Sequence, residues 1–299
     1  MKQKEEVMIK ELKDDLTIEK IKKDFSWILK ADIEDVILGI SAEDKLIWYD
    51  GIWYGGTWGF GEWYNGIWHD GDWESGIWRN GKWCNGRWYD GIWKNGVWES
   101  GTWCRGIWDN GEWYNGEWCN GWWHEGKWKN GTWQSGKWIN GVWYNGSWQN
   151  GRWMNGVWYN GVWKDGEWLD GIWHNGEWYN GMWYKGIWHN GIWGNGYWKY
   201  GEWCNGEWRN GIWKYGIWRD GTWYNGEWED GEWNNGIWYN GLWGDGKWKD
   251  GIWFSGEWIR GYWHSGEWKD GIWHNGKWHS GLNKNNEHCP SDNPPNKCG

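Results

Sequence analysis

From Gly51 to Ser280 the chain repeats Gly-x-Trp-x-x in 46 consecutive units, without one insertion or deletion. The Gly series runs Gly51, Gly56, Gly61 and on to Gly276; the Trp series runs Trp53, Trp58, Trp63 and on to Trp278. A fixed short period of this length marks a repeat architecture, in which each unit buries its apolar side chain only against its neighbours. Folds with surface loops tolerate insertions, whereas a stacked coil in fixed register does not. One earlier unit, Leu46-Ile47-Trp48-Tyr49-Asp50, keeps the Trp and has Leu in place of Gly, and the pattern stops at Gly281-Leu282-Asn283.

The other slots carry different chemistry. The residue before Trp is mixed, drawn largely from Ile, Val, Glu, Lys and Thr, and the residue after Trp is mainly polar. The residue before the next Gly is Asn 23 times and Asp 9 times. Asn-Gly and Asp-Gly are strong turn signals, so the backbone turns at every fifth residue. Two architectures follow. In a meander of three-residue strands, the first and third residues of each strand would have to bond to opposite neighbours. In an antiparallel pair, residues two apart direct their N–H and C=O groups the same way, so a meander fails. It would also leave every Trp on one uncovered face. The alternative is a parallel β-helix, or solenoid: each unit is one side of a coil, Asn-Gly makes the corner, and Trp points inward. Pro290, Pro294 and Pro295 all lie outside the repeat, as ladder hydrogen bonding requires.

Composition supports Trp as the core material. The chain holds 49 Trp and 53 Gly, against 3 Phe and 4 Met, which excludes an ordinary aliphatic core. Each buried indole N–H then needs an acceptor, either a nearby carbonyl or the turn Asn/Asp side chain.

The cadence resembles that of the pentapeptide-repeat proteins, over residues 46–281. In that family a small inward residue precedes a large inward one by two positions, as Gly51 precedes Trp53 and Gly56 precedes Trp58. The resemblance implies a right-handed quadrilateral β-helix with four units per coil. The departures are Trp where that family has Leu or Phe, and Gly where it has Ala. Trp is far bulkier, which leaves open a wider coil or a different number of sides. Apolar residues before Trp recur equally at offsets of three, four and five units, so the residues themselves favour no coil length.

The ends are different material. Ile18, Ile21, Phe25, Ile28 and Leu29 fall on one helical face, as do Ile33, Val36, Ile37 and Ile40, and Met8, Ile9, Leu12 and Leu16 suggest an earlier helix. Thr17 and Asp32 are candidate N-caps. Residues 1–45 are therefore expected to form a small helical cap or docking segment. Residues 282–299 are polar and rich in Pro and Asn, and are expected to be disordered. That would leave the last coil open to another chain, as in a homodimer through the C-terminal coil.

Little catalytic chemistry is visible. His69, His124, His174, His189, His264, His274 and His279 follow Trp directly, as do Cys84, Cys104, Cys119 and Cys204, which places them on the surface. With four sides, Cys84 would stack beside Cys104 and Arg105 beside Glu125. His288, Cys289 and Cys298 do not match zinc-ligand spacing. No phosphate loop, nucleophile elbow or metalloprotease motif occurs, so neither an enzyme nor a cofactor is expected. Four-sided stacking would also align an apolar column of Trp122, Val142, Val162 and Met182. A second would hold Ile172, Ile192 and Ile212, and a third Tyr197, Ile217 and Ile237. These are the candidate partner surface. The net charge is −10, which disfavours direct nucleic-acid binding and polybasic membrane attachment. No apolar run is long enough to span a bilayer and no secretory signal is evident, so a cytoplasmic or virion-associated protein is expected. The functional expectation is a structural or protein-interaction rod, suited to a viral or phage assembly. One alternative is a DNA mimic that binds a type II topoisomerase, as some pentapeptide-repeat proteins do. Another is a glycan binder with exposed Trp.

Overall fold

The structure, a computed structural model, describes residues 15–292, 294, 295 and 298. The chain divides into two compact units, Met1–Gly146 and Ser147–Gly299. Both are parallel β-solenoids with a Trp core, as the cadence predicts. Each five-residue unit contributes a two-residue strand made of Trp and the residue before it, such as Ile107–Trp108 and Ile187–Trp188.

The coil has three sides, not the four implied by the family resemblance. Strands pair in register with those fifteen residues away. In the first unit Ile77 pairs with Ile92, Ile92 with Ile107 and Ile107 with Trp122. In the second Glu167 pairs with Met182, Met182 with Tyr197 and Tyr197 with Ile212. Indole size explains the difference. Trp108 lies edge-to-face against Trp103 and Trp113, each at 5.9 Å. It also stacks in parallel on Trp93 and Trp123, each at 4.7 Å. Trp188 repeats the arrangement in the second unit. Three indoles in mutual edge-to-face contact fill the cross-section of a coil. Four would hold opposite rings apart and leave a channel along the axis, which close packing disfavours. The stacking distance matches the spacing of adjacent strands, so sheet and ring ladders share one repeat.

Backbone hydrogen bonds follow the same period. The N–H groups before and after Trp both point at the preceding coil: Ile107 N donates to Gly91 O at 2.9 Å and Asp109 N to Trp93 O at 2.7 Å. These residues are two apart and point the same way, the geometry that rules out a meander. At the corners, the Asn or Asp carboxamide or carboxylate accepts from the next Gly N–H, as Asp90 Oδ1 does from Gly91 and Asn120 Oδ1 from Gly121, each at 2.8 Å.

The first coil is covered by helix α1 (Asp15–Asp24), a 3-10 turn at Ser26–Lys30 and strand β1 (Asp32–Ile40). Strand β1 runs antiparallel to strand β2 (Leu46–Gly55). The helical expectation for Ile33, Val36, Ile37 and Ile40 is thus corrected. In β1, Val36 and Leu38 are buried while Ile37 is exposed, a strand alternation. Asp32 opens this strand and Thr17 lies inside α1, so neither is an N-cap. Of the first helical face, Ile21, Phe25 and Ile28 are buried and Leu29 is exposed. The suggested helix through Met8, Ile9 and Leu12 lies outside the described residues. Trp27 packs edge-on against Trp58 at 5.0 Å, and Phe25 packs at a tilt against Phe60 at 5.4 Å.

The described residues of the C-terminal segment are ordered, against the expectation of disorder. Gly281–Leu282 and His288–Cys289 form an antiparallel pair, and a disulfide joins Cys289 to Cys298. Cys289 is buried, and its carbonyl accepts from Trp278 Nε1 at 3.1 Å. The segment therefore covers the last coil, correcting the expectation of an open edge. Of the three tail residues whose spacing does not match a zinc site, Cys289 and Cys298 are bonded to each other.

Candidate functional site

Because Gly has no side chain and Trp is committed to the core, only the slots flanking Trp and the corner slot offer side chains to solvent. The Trp residues from Trp48 to Trp278 in the repeat register are buried, while Trp122, in the slot before Trp123, is 48% exposed. Any recognition surface is built from these outward columns, and their composition depends on the number of sides.

Three-sided stacking disperses the expected columns. Trp122 lies between Ile107 and Lys137. Val142 pairs with Lys127, and Val162 with Ser147 and Glu177. Ile192 lies between Glu177 and Glu207, and Ile217 between Glu202 and Glu232. Ile237 lies between Thr222 and Ile252, and Ile172 between Val157 and Ile187. Met182, Tyr197 and Ile212, taken from three different expected columns, instead form one. Arg105 pairs with Asp90 at 3.0 Å rather than with Glu125. Cys84 does not stack with Cys104.

Beside the Met182–Tyr197–Ile212 face lies a concave surface that the sequence reading missed. An open groove of about 750 Å³ is lined by residues including Tyr200, Tyr215, Ile217, Asp245, Lys247 and Tyr262. Tyr200 and Ile217 also line an adjoining groove of about 450 Å³ with Asp170, Ile172, Lys185 and Ile187. Tyr200 and Tyr215 occupy the corner slot, where Asn or Asp is the rule. Their rings, 57% and 46% exposed, stand out from the corner and wall the groove. The signal was present in sequence: within the repeat, Tyr takes the corner slot only at these two positions. Carboxylates and ammonium groups, Asp230, Glu232, Asp245, Lys247 and Lys277, line the groove beside the aromatic wall, so it offers aromatic and charged contacts together. Lys214 reaches Glu229 at 3.3 Å on the neighbouring face.

Many charged side chains are paired, within one column or between adjacent ones. Lys127 meets Glu112 at 2.9 Å, which holds the Glu112 carboxyl below its ordinary range. Arg79 meets Glu62 at 2.8 Å, and Arg219 bonds Glu202. His174 stacks between Tyr159 and His189, at 4.8 and 5.0 Å. Burial, and then the charge of His189, lowers the affinity of His174 for a proton. Among the described residues, no three His, Cys, Asp or Glu side chains gather as a metal-ligand set. Comparison with family models, curated proteins and solved structures finds no match to the chain.

Proposed function

We propose that this chain is a non-enzymatic structural and protein-interaction solenoid, a three-sided Gly/Trp relative of the pentapeptide-repeat type. The observation that carries the reading is the groove walled by Tyr200 and Tyr215. Exposed aromatics beside a concave surface of glycine backbone and charged side chains suit a protein-binding patch, in which aromatics are enriched. The core contributes no chemistry of its own, because its side chains are indoles stacked on one another. The paired carboxylates argue against a DNA mimic, which needs a continuous acidic stripe. The repeat holds 26 acidic and 20 basic residues. Buried Trp argues likewise against a glycan binder built on the indole series.

The test is affinity capture from the native host with cross-linking, comparing the intact chain with a Tyr200→Ser/Tyr215→Ser/Ile217→Lys variant. These side chains face solvent, so the variant is expected to keep its thermal stability and lose the cross-linked partner. A partner retained by the variant, or cross-links confined to other faces, would overturn the groove assignment. A host extract yielding no stoichiometric partner would overturn the interaction reading itself.

A further inference from the structure

Three-sided stacking creates one thiol pair. Thr102 pairs with Glu117 and Trp103 with Trp118, and Cys119 N donates to Trp103 O at 2.7 Å. Cys104 and Cys119 therefore follow in register on neighbouring strands of one face, both half-buried. Each thiol shifts the other's affinity for a proton, as neighbours on one column do. Cys84 and Cys204 occupy the same slot elsewhere, but their column neighbours are not cysteines.

We infer that Cys104 and Cys119 form a two-thiolate site for a soft, two-coordinate monovalent cation, with Cu(I) as the biological candidate. Thiolates select Cu(I) over harder ions, and a linear dithiolate needs only two ligands. Stacked side chains repeat at the strand spacing of about 4.8 Å. A zinc–thiolate bond is about 2.3 Å and a two-coordinate Cu(I)–thiolate bond is shorter, so two such bonds laid end to end fall a little inside that distance and a slight lean of the side chains closes the pair. A disulfide instead requires Cβ atoms about 3.5–4.5 Å apart, closer than translation along the stack provides. The Glu117 carboxylate lies beside both sulfurs and raises both thiols, which opposes their deprotonation. Arg87 and Arg105 stand beside Cys104 and favour its thiolate and the anionic dithiolate complex, with Arg105 also engaged by Asp90. Tyr89 and Gln134 close the column on either side.

Burial raises both thiols, Cys119 to about 11, so the empty site is protonated at neutral pH. Loading forms two Cu–S bonds and breaks two S–H bonds. Both protons leave to solvent, the cation stays Cu(I), and no electron moves.

The experiment titrates the full chain anaerobically with Cu(I) held by bicinchoninate, reading chelator colour. One Cu(I) per chain is expected, with affinity rising about a hundredfold per pH unit near neutrality as two protons are displaced. Cys104→Ser and Cys119→Ser should each weaken uptake by at least about a hundredfold, since one thiolate cannot hold a linear pair. Cys84→Ser and Cys204→Ser should leave uptake unchanged, and melting curves of all four variants confirm that each is folded. Uptake that survives in Cys104→Ser and Cys119→Ser would overturn the proposal. So would uptake that follows Cys84 or Cys204, or a Cys104–Cys119 disulfide in non-reducing peptide maps of the chain as isolated.

Discussion

At the scale of the residue, Gly is fixed by two separate constraints. Gly111 has φ +130°, a region closed to most L side chains, and a Cβ there would sit 2.5 Å from Gly96 O in the preceding coil. Gly111→Ala is expected to cost about 3 kcal/mol or more, measured by chemical denaturation. Gly55 lies outside the positive-φ series and its Cβ would meet open space, so Gly55→Ala should stay within about 1 kcal/mol. The sequence showed that Gly must be small beside Trp; it did not show that a carbonyl in the neighbouring coil occupies the space. The indole N–H groups are a second case. Trp238, Trp253 and Trp263 donate to the carbonyl seventeen residues on, each at 3.1 Å, whereas Trp93 and Trp108 close no such bond. Ring stacking and exclusion from water, rather than the indole N–H, therefore hold those positions. His174 gives a pH-dependent prediction. Its folded affinity for protons lies below the ordinary value of 6.5, so the unfolded chain takes up the proton first on acidification. The contribution is present above that value and is lost as pH falls through it. NMR titration should place His174 below 6.5, and His189→Gln should move it part-way back, because burial remains.

At the scale of the element, both ends of the repeat are covered. The N-terminal cover was half legible. Ile21, Phe25 and Ile28 are buried as the sequence suggested, although the helix breaks at Phe25, between α1 and the 3-10 turn. Asp32–Ile40 alternates instead, because β1 adds its backbone to the edge of β2. Its apolar residues fit both periods over so short a run, and only the partner strand decides between them. The C-terminal cover was not legible. Its Asn- and Pro-rich composition reads as disorder, and its order depends on contacts with the last coil and on Cys289–Cys298. Cys289→Ser is expected to cost about 2 kcal/mol locally, by removing a cross-link over a short loop. Hydrogen exchange should show faster opening of residues 267–282, while protection of residues 167–218 stays unchanged. Light scattering of the intact chain should give a monomer mass, with self-association appearing in the Cys289→Ser variant.

At the scale of the molecule, the cadence made the solenoid, the inward Trp and the corners readable, because all three follow from a five-residue period. The number of sides was not readable. Every unit presents the same Gly and Trp to its neighbours, so the repeat carries no mark of where a coil closes; indole packing sets it. The groove shared this obscurity, since Tyr200, Tyr215 and Ile217 converge only once corners and faces are assigned. Deletions test the period directly. Removing residues 86–100 excises one coil, brings Thr102 over Asp72, and preserves every outward column beyond the cut. Its melting temperature should stay within a few degrees of the intact chain. Removing Arg87 alone shifts all later Trp residues out of register and should abolish cooperative unfolding in the first unit. The shared repeat of strands and indoles has a further consequence. Identical side chains stacked in register at strand spacing, with amide ladders such as Asn225 on Asn210 at 3.4 Å, make up the cross-β arrangement of amyloid. Here one chain supplies every layer, and its covered ends separate a protein of fixed length from a template for fibre growth.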